Sequence, residues 1–504
     1  MKKIFYYILP LTFLMSTGCK KFLDEKPQNA VATVDYYKSL NDVNAALSGI
    51  YGTFQQLMTG DGNGFSGNYH YWGEGRSDNF DKGQYGGSLQ LELSLNQLTS
   101  GNATSSWASF YKVIGRANYG IKYFPGVQKF DAKVTNVIRD NSLAQCYAMR
   151  AICYFYIIRI WGDPVVWLEP YDDFTQEAKR ARSNKDSVFN NVIIPDLKLA
   201  YELMQKNQTP IVWNIGEAAI AAALADVYLW RKDYVNVVDW SKKVFLAKGA
   251  KGTVLAGTSG ANLEPSATWK NLFISPTTTN EAIWSINWDF TYNDCACQAI
   301  SLGESNNPLR VDSGIHSEWK KNLADIRPKW TYDTIATLGH FDKVVKYYNI
   351  AGNAFPTGTG APLPNTYNVY LVMYRLGDVY LSYAEALNKT GDAANALKYL
   401  NFIRVRAGLT ALAANDASIN TIDKMEDVIL LERRYELFAE GKRWFDLVRT
   451  NHVNKVLDPV ITRRQISYGS APLGFGADAN KILWPIQRQV LEDNKALVQN
   501  PSYN

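Results

Sequence analysis

Residues 68–80 read NYHYWGEGRSDNF: two tyrosines, a histidine and a tryptophan, then a Gly-Glu-Gly turn, then Arg-Ser-Asp-Asn. These residue types can move a proton, pair a charge or stack against a ring, so the segment catalyses, grips or packs. Catalysis needs partners at defined spacings. The four histidines, His70, His316, His340 and His452, form no HExxH, and no two stand at a metal-ligand spacing. GNGFSG at 62–67 satisfies GxGxxG literally, but an aromatic, Gly-rich stretch follows it where a dinucleotide site needs a helix. AGTSGA at 256–261 misses the GxSxG nucleophile elbow. With 48 acids, carboxylate pairs are too common to single one out. Glu432, Glu436, Glu440, Arg443, Asp446 and Arg449 stand three or four apart, the spacing of ordinary ion pairs along a helix. No catalytic residue, metal ligand or cofactor is predicted.

What the chain does carry is aromatic chemistry, with 14 Trp, 31 Tyr and 21 Phe, several of them inside polar, Gly-rich stretches. Tyr and Trp present an apolar face with a polar handle and lose little rotamer freedom when held. A sugar ring has an apolar C–H face and a hydroxyl rim, so aromatics flanked by Asp, Asn and Arg have the composition of a sugar site.

The elements that must position such residues read mainly as helices. LAQCYAMRAICYFYII at 143–158 has an apolar helical face and stops at Gly162-Asp163-Pro164. Two helical pairs follow, at 217–247 turning near Arg231-Lys232-Asp233, and at 377–407 turning at Lys389-Thr390-Gly391-Asp392. Ala225 precedes Lys232 by seven residues as Ala384 precedes Gly391, and small residues there let antiparallel helices approach as in tetratricopeptide units. The pairs are far apart in sequence, which argues against a continuous solenoid and for a helical scaffold with long insertions. A further long helix starts near Asp423 and runs through VILLERRYELFAEGKRWFDLVRT. Residues 59–106, 249–281 and 350–368 read as long loops, the kind that carry function. AIWSINWDF at 282–290 reads as a strand with Trp284, Ile286 and Trp288 on one face.

Lys2 and Lys3, an apolar run from Ile4 to Met15 and then Ser16-Thr17-Gly18-Cys19 read as a signal peptide. That run is too short for a bilayer, which takes about 20 residues. Small residues before Cys19 resemble a bacterial lipobox, so residues 1–18 are expected to be removed and Cys19 lipidated: anchored, not spanning. Losing two lysines takes the formal charge from +5 to +3, too weak a bias to suggest nucleic acid. Cys146 and Cys153, about 10 Å apart along a helix, cannot bridge, and Cys295 and Cys297 could form only a tight bridge; buried free thiols are expected.

CKKFLDEKPQ at 19–28, RAICYFYIIRIWGDPVV at 150–166, YRLGDVYLSYAEALNKTGDAANALKYLNFIRVRAGL at 374–409, LERRYELFAEGKRWFDLVR at 431–449 and the tail ILWPIQRQVLEDNKALVQNPSY appear in this order. In that combination the chain resembles the SusD/RagB nutrient-binding outer-membrane lipoproteins over nearly all of residues 19–504, departing at Gln487, where proline is usual, and Ser502, where glycine is usual. The resemblance implies a mainly α, tetratricopeptide-type helical-hairpin scaffold with long loop insertions and a few short strands. It would form one domain over 19–504: an N-terminal half at 19–250, a loop-rich insertion at 251–370 and a C-terminal half at 371–504. It further implies no catalysis, and an outward-facing lipoprotein that passes an oligosaccharide to a SusC-type TonB-dependent transporter. A peptide ligand, as in the RagB branch, and a lipid-anchored glycoside hydrolase stay open as alternatives. Within GRSDNF the resemblance nominates Arg76, Asp78 and Asn79 as ligand contacts, with Tyr71, Trp72 and Tyr85 nearby and Trp288 and Tyr292 as a second wall.

Overall fold

The computed structural model describes residues 36–59, 67–173, 175–293, 308–334, 343–349 and 368–503. Cys19 and its leader, His340, Cys295 and Cys297 lie outside them. The principal helices are α1 (Leu40–Thr59), α2 (Asn68–Gly73), α3 (Ala108–Val127), α4 (Asn136–Trp161), α5 (Ile194–Leu203), α6 (Glu217–Trp230) and α7 (Tyr234–Leu246). They continue with α8 (Leu376–Lys389), α9 (Ala393–Arg406), α10 (Ile422–Glu436), α11 (Arg443–Arg449) and α12 (Val453–Ser467). Among the described residues no helix is long and apolar enough to cross a membrane.

Both predicted hairpins form, α6 with α7 and α8 with α9, and the same local chemistry turns each one. Lys232 and Gly391 take left-handed backbone conformations at φ 59° and 91°. One residue later, Asp233 and Asp392 cap the second helix by accepting the backbone N–H groups of Asn236 and Asn395, each at 3.2 Å. Ala225 and Ala384 are buried where the helices meet. The expectation that sequence distance breaks the array needs correction, because α7 packs on α8 although residues 247–375 intervene. In space α1, α3, α4, α5, α6, α7, α8 and α9 follow one another as packed neighbours, so the insertion leaves the stack and returns. Cys146 and Cys153 are free, buried thiols within α4, whose end at Gly162 (φ 81°) falls where the sequence predicts.

Among the described residues four short strands pair in twos. β1 (Phe80–Lys82) runs antiparallel to β3 (Leu309–Val311), with Phe80 opposite Val311. β2 (Ala282–Trp288) runs antiparallel to β4 (Val369–Arg375), with Ala282 opposite Arg375 and Trp288 opposite Val369. β4 leads directly into α8, so Arg375 sits at a strand-to-helix corner.

That corner overturns two readings. The helix predicted from Asp423 is two helices, because Ala439 (φ 64°) and Gly441 (φ 66°) break the chain between α10 and α11. The acid and Arg series along it does not make solvated pairs down one helix face, although Arg449 and Asp446 do pair at i, i+3. Glu436 instead meets Arg375 (2.6 Å), Arg327 (3.2 Å) and Arg406, while Glu440 meets Arg375 (2.8 Å) and Lys346 (2.6 Å). Glu281, just before β2, binds Arg375 (2.7 Å) and Arg406 (2.9 Å), and every member of this cluster is buried. Burial opposes the Glu436 charge, yet Arg406, Arg375 and Arg327 outweigh it and hold the carboxyl below its ordinary range.

Candidate functional site

The segment 68–80 is not a loop. Its first residues form α2, so a short helix does follow Gly67, and residues 80–82 are β1. Six of the eight nominated contacts are buried. Tyr71 accepts a hydrogen bond from Gln90 Nε2 at 2.8 Å. Trp72, 1% exposed, donates from Nε1 to the Thr104 carbonyl at 2.9 Å and packs against Phe110 and Trp161 at ring separations of 5.1 and 5.8 Å. Arg76 lies over the rings of Trp444 (4.2 Å) and Trp484 (4.6 Å) and donates to the Ile482 carbonyl at 3.1 Å. Asp78 accepts from Arg443 Nε and Nη2 at 2.8 and 3.0 Å and pairs with Arg434 at 3.0 Å. Asn79 donates to Glu74 at 2.9 Å and accepts from Arg434 at 3.0 Å. Trp288 faces the core from β2 opposite Val369. Side chains buried in this way, with their rings covered, offer a sugar no surface, so the expectation for these six is corrected. Arg76, Asp78 and Asn79 clamp this segment to α10 and α11. Gly73 belongs to that clamp, since a Cβ there would stand 2.1 Å from the Gly441 carbonyl oxygen.

The clamp carries two oppositely shifted groups. Burial pushes His70 down from 6.5 to about 3, with its Nε2 3.1 Å from the Ala439 carbonyl, so it stays neutral. Burial lifts Glu74 from 4.5 to about 8 against the hydrogen bond from Asn79. Below 6.5 the unfolded chain binds the His70 proton and the fold does not, so acidification lowers stability down to about 3. Between 4.5 and about 8 the fold binds the Glu74 proton and the unfolded chain does not, so raising the pH lowers stability. The two slopes cancel between 4.5 and 6.5. Lys270 and His316, both lowered by burial, add slopes opposite in sign to that of Glu74, so the assignment is read by difference: relative to the wild type, Glu74→Gln is expected to gain stability as pH rises from 4.5 to about 8, and an unchanged difference between the two urea midpoints across that window contradicts it.

Tyr292 and Tyr85 remain accessible, at 86% and 53%. Tyr85, in the turn after β1, is not part of any cavity wall described below. Tyr292 lies beside one, because its neighbour Asn293 exchanges hydrogen bonds with Gln55 of α1 at 3.2 Å each way. Gln55, Tyr51 and Phe54 of α1, Trp213 and Asn214 of the α5–α6 loop, and Trp284, Ile286 and Asn287 of β2 line a surface cavity of about 140 Å³. Trp213 stacks on Tyr370 of β4 with ring centroids 5.0 Å apart and planes 15° from parallel, both rings half-buried. Asn287 is the one residue of β2 that is not buried as a whole, yet its Oδ1 is shielded from solvent and has no hydrogen-bond partner among the described residues.

The loop carrying Trp213 is fixed before any ligand arrives: Ser285 N–H donates to the Val212 carbonyl at 2.9 Å and Ile215 N–H to the Tyr51 hydroxyl at 2.8 Å. Sequence reading missed Gln55, Trp213, Asn287 and Tyr370. The available signals were Trp213 standing in the Pro- and Asn-containing stretch TPIVWN, and Asn287 breaking the apolar run of β2. Among the described residues no group of three or more His, Cys, Asp or Glu is arranged to hold a metal ion.

Comparison with known proteins matches two family models: the SusD family over residues 316–503, and a family described as starch-binding, associating with the outer membrane, over residues 21–229. SusD-like protein P38 of Formosa agariphila is 24% identical, with all of both chains covered. A SusD-like protein of Bacteroides ovatus is 25% identical over 88% of this chain and 81% of its own. Among solved structures, a SusD superfamily protein from Bacteroides thetaiotaomicron superposes with a TM-score of 0.71 at 22% identity, covering 93% of this chain and 99% of that one. A laminarin-binding SusD-like protein gives 0.69 at 20% identity, covering 93% and 100%.

Proposed function

The chain belongs to the SusD/RagB family, and on that premise we propose that it is a non-catalytic glycan-binding lipoprotein of the cell surface. It captures an oligosaccharide and passes it to a SusC-type TonB-dependent transporter, held at the outer membrane by a lipid on Cys19. The observation that carries the binding role is the preformed cavity lined by Trp213, whose ring stacks on Tyr370, together with Asn214 and Asn287. An indole offers the C–H face of a sugar a platform, and side-chain amides exchange hydrogen bonds with hydroxyls. Among the described residues no charged side chain lines that cavity, which favours an uncharged glycan. The laminarin-binding neighbour lends the same reading support. Tethering raises the effective concentration of binding site and pore, so modest affinity suffices, and tight binding would slow release.

Calorimetry against uncharged oligosaccharides and against peptides tests the proposal. Trp213→Ala is expected to weaken sugar binding by roughly tenfold or more, the loss of about 1.4 kcal/mol of stacking, with the melting temperature little changed. Saturable peptide binding without a sugar signal would replace the glycan by a peptide. Reducing-sugar release by the purified protein would replace capture by hydrolysis. For the anchor, Cys19→Ala should move the protein from the membrane to the soluble fraction, and unchanged fractionation would contradict lipidation at Cys19.

A further inference from the structure

A second cavity, of about 180 Å³, opens on the other side of Tyr51 between the start of α4 and residues 204–217. The two cavities share a wall. The Tyr51 ring lines the first, while its hydroxyl donates to Gln145 Oε1 at 2.7 Å and accepts from Ile215 N–H at 2.8 Å, both residues of the second. Asn214 lines both.

The chemistry of the second cavity is that of a hydroxyl-rich, uncharged ligand. Gln205 and Gln208 supply side-chain amides, Asn141 Oδ1 and both amide atoms of Gln145 being engaged within the fold, and Pro210 and Ile211 supply an apolar edge, Ile211 being 61% exposed. Its one charged residue among those described, Glu217, is engaged in holding the loop, accepting Asn207 N–H at 2.7 Å. Gln205 N–H is likewise pinned on Asn141 Oδ1 at 2.7 Å, so the cavity is preformed. Gln208 donates to the Lys206 carbonyl at 3.2 Å, and its own carbonyl oxygen has no partner among the described residues.

We infer that this second cavity is an extension subsite, so that one uncharged oligosaccharide lies across Tyr51 with one sugar on Trp213 and further units held by amides beyond it. The inference rests on the glycan-binding reading above and adds to it a requirement for chain length. Having no aromatic platform, the second subsite contributes through hydrogen bonds and the Pro210–Ile211 edge, and rewards length instead of dominating affinity.

The test is calorimetry with β-1,3-, β-1,4- and α-1,4-linked glucose oligosaccharides from disaccharide to hexasaccharide, on the wild type, Gln208→Ala, Ile211→Arg and Trp213→Ala. Gln208 and Ile211 are exposed, so their variants are expected to fold. In the ladder that binds, affinity should rise roughly tenfold from the shortest to the longest ligand. Ile211→Arg should erase that rise and Gln208→Ala should reduce it, both leaving the shortest ligand within about twofold, whereas Trp213→Ala weakens every length. Affinity independent of length, or equal losses for short and long ligands in Ile211→Arg, overturns the extension subsite and leaves the glycan-binding reading standing. If no ladder binds, the glycan-binding reading falls and the extension subsite falls with it.

Discussion

Arg375→Ala is expected to destabilise the protein by about 3–5 kcal/mol or more, the cost of leaving buried charge unpaired. Among the described residues Arg375 is the only cation that touches Glu281, Glu436 and Glu440 at once, at 2.7, 2.6 and 2.8 Å, and it also donates to the Glu436 carbonyl at 2.8 Å. Removing it takes the shared cation from three buried carboxylates at the corner where β4 enters α8. Arg406 stays on Glu281 and Glu436, Arg327 on Glu436 and Lys346 on Glu440, but none of these bridges all three. The exposed pair Lys455–Asp427 at 2.9 Å is the control, and breaking it should cost about 0–1 kcal/mol. Urea denaturation of the two variants checks this. Equal, small shifts would mean that the network relaxes around the missing cation and does not hold the corner.

Trp72→Ala is expected to cost about 3–5 kcal/mol through the cavity it leaves among Phe110, Trp107 and Trp161. The indole also satisfies the Thr104 carbonyl, which would lose its donor. Tyr292→Ala, at an 86% exposed position, should stay within about 0.5 kcal/mol. The contrast matters because both residues were nominated for the same reason, an aromatic in a polar context. A Trp72→Ala protein with an unchanged unfolding midpoint would return that residue to the list of surface contacts.

The hairpins were legible because their signals are local. Asp233 and Asp392 cap, Lys232 and Gly391 turn, and Ala225 and Ala384 pack, all within a few residues of the helices they define. The site was not legible because Gln55, Trp213, Asn287 and Tyr370 come from α1, a loop and two strands that only the β2–β4 pairing and the α-stack bring together. GRSDNF misled for a related reason. A polar run ordinarily faces water, but here Asp78 and Asn79 meet Arg434 and Arg443, residues from the far end of the chain, and the polarity is consumed inside the fold. The same applies to Glu436 and Glu440, whose helical spacing is real while their partners lie on other elements. In β2, sequence drew the eye to Trp288, whereas the accessible residue next to it is Asn287.

The most direct test is a crystal structure of the protein with the shortest uncharged oligosaccharide that binds in calorimetry. The account predicts one sugar ring against Trp213, in the cavity between α1 and β2. A sugar bound elsewhere on the molecule, with the Trp213 ring uncovered, would contradict it.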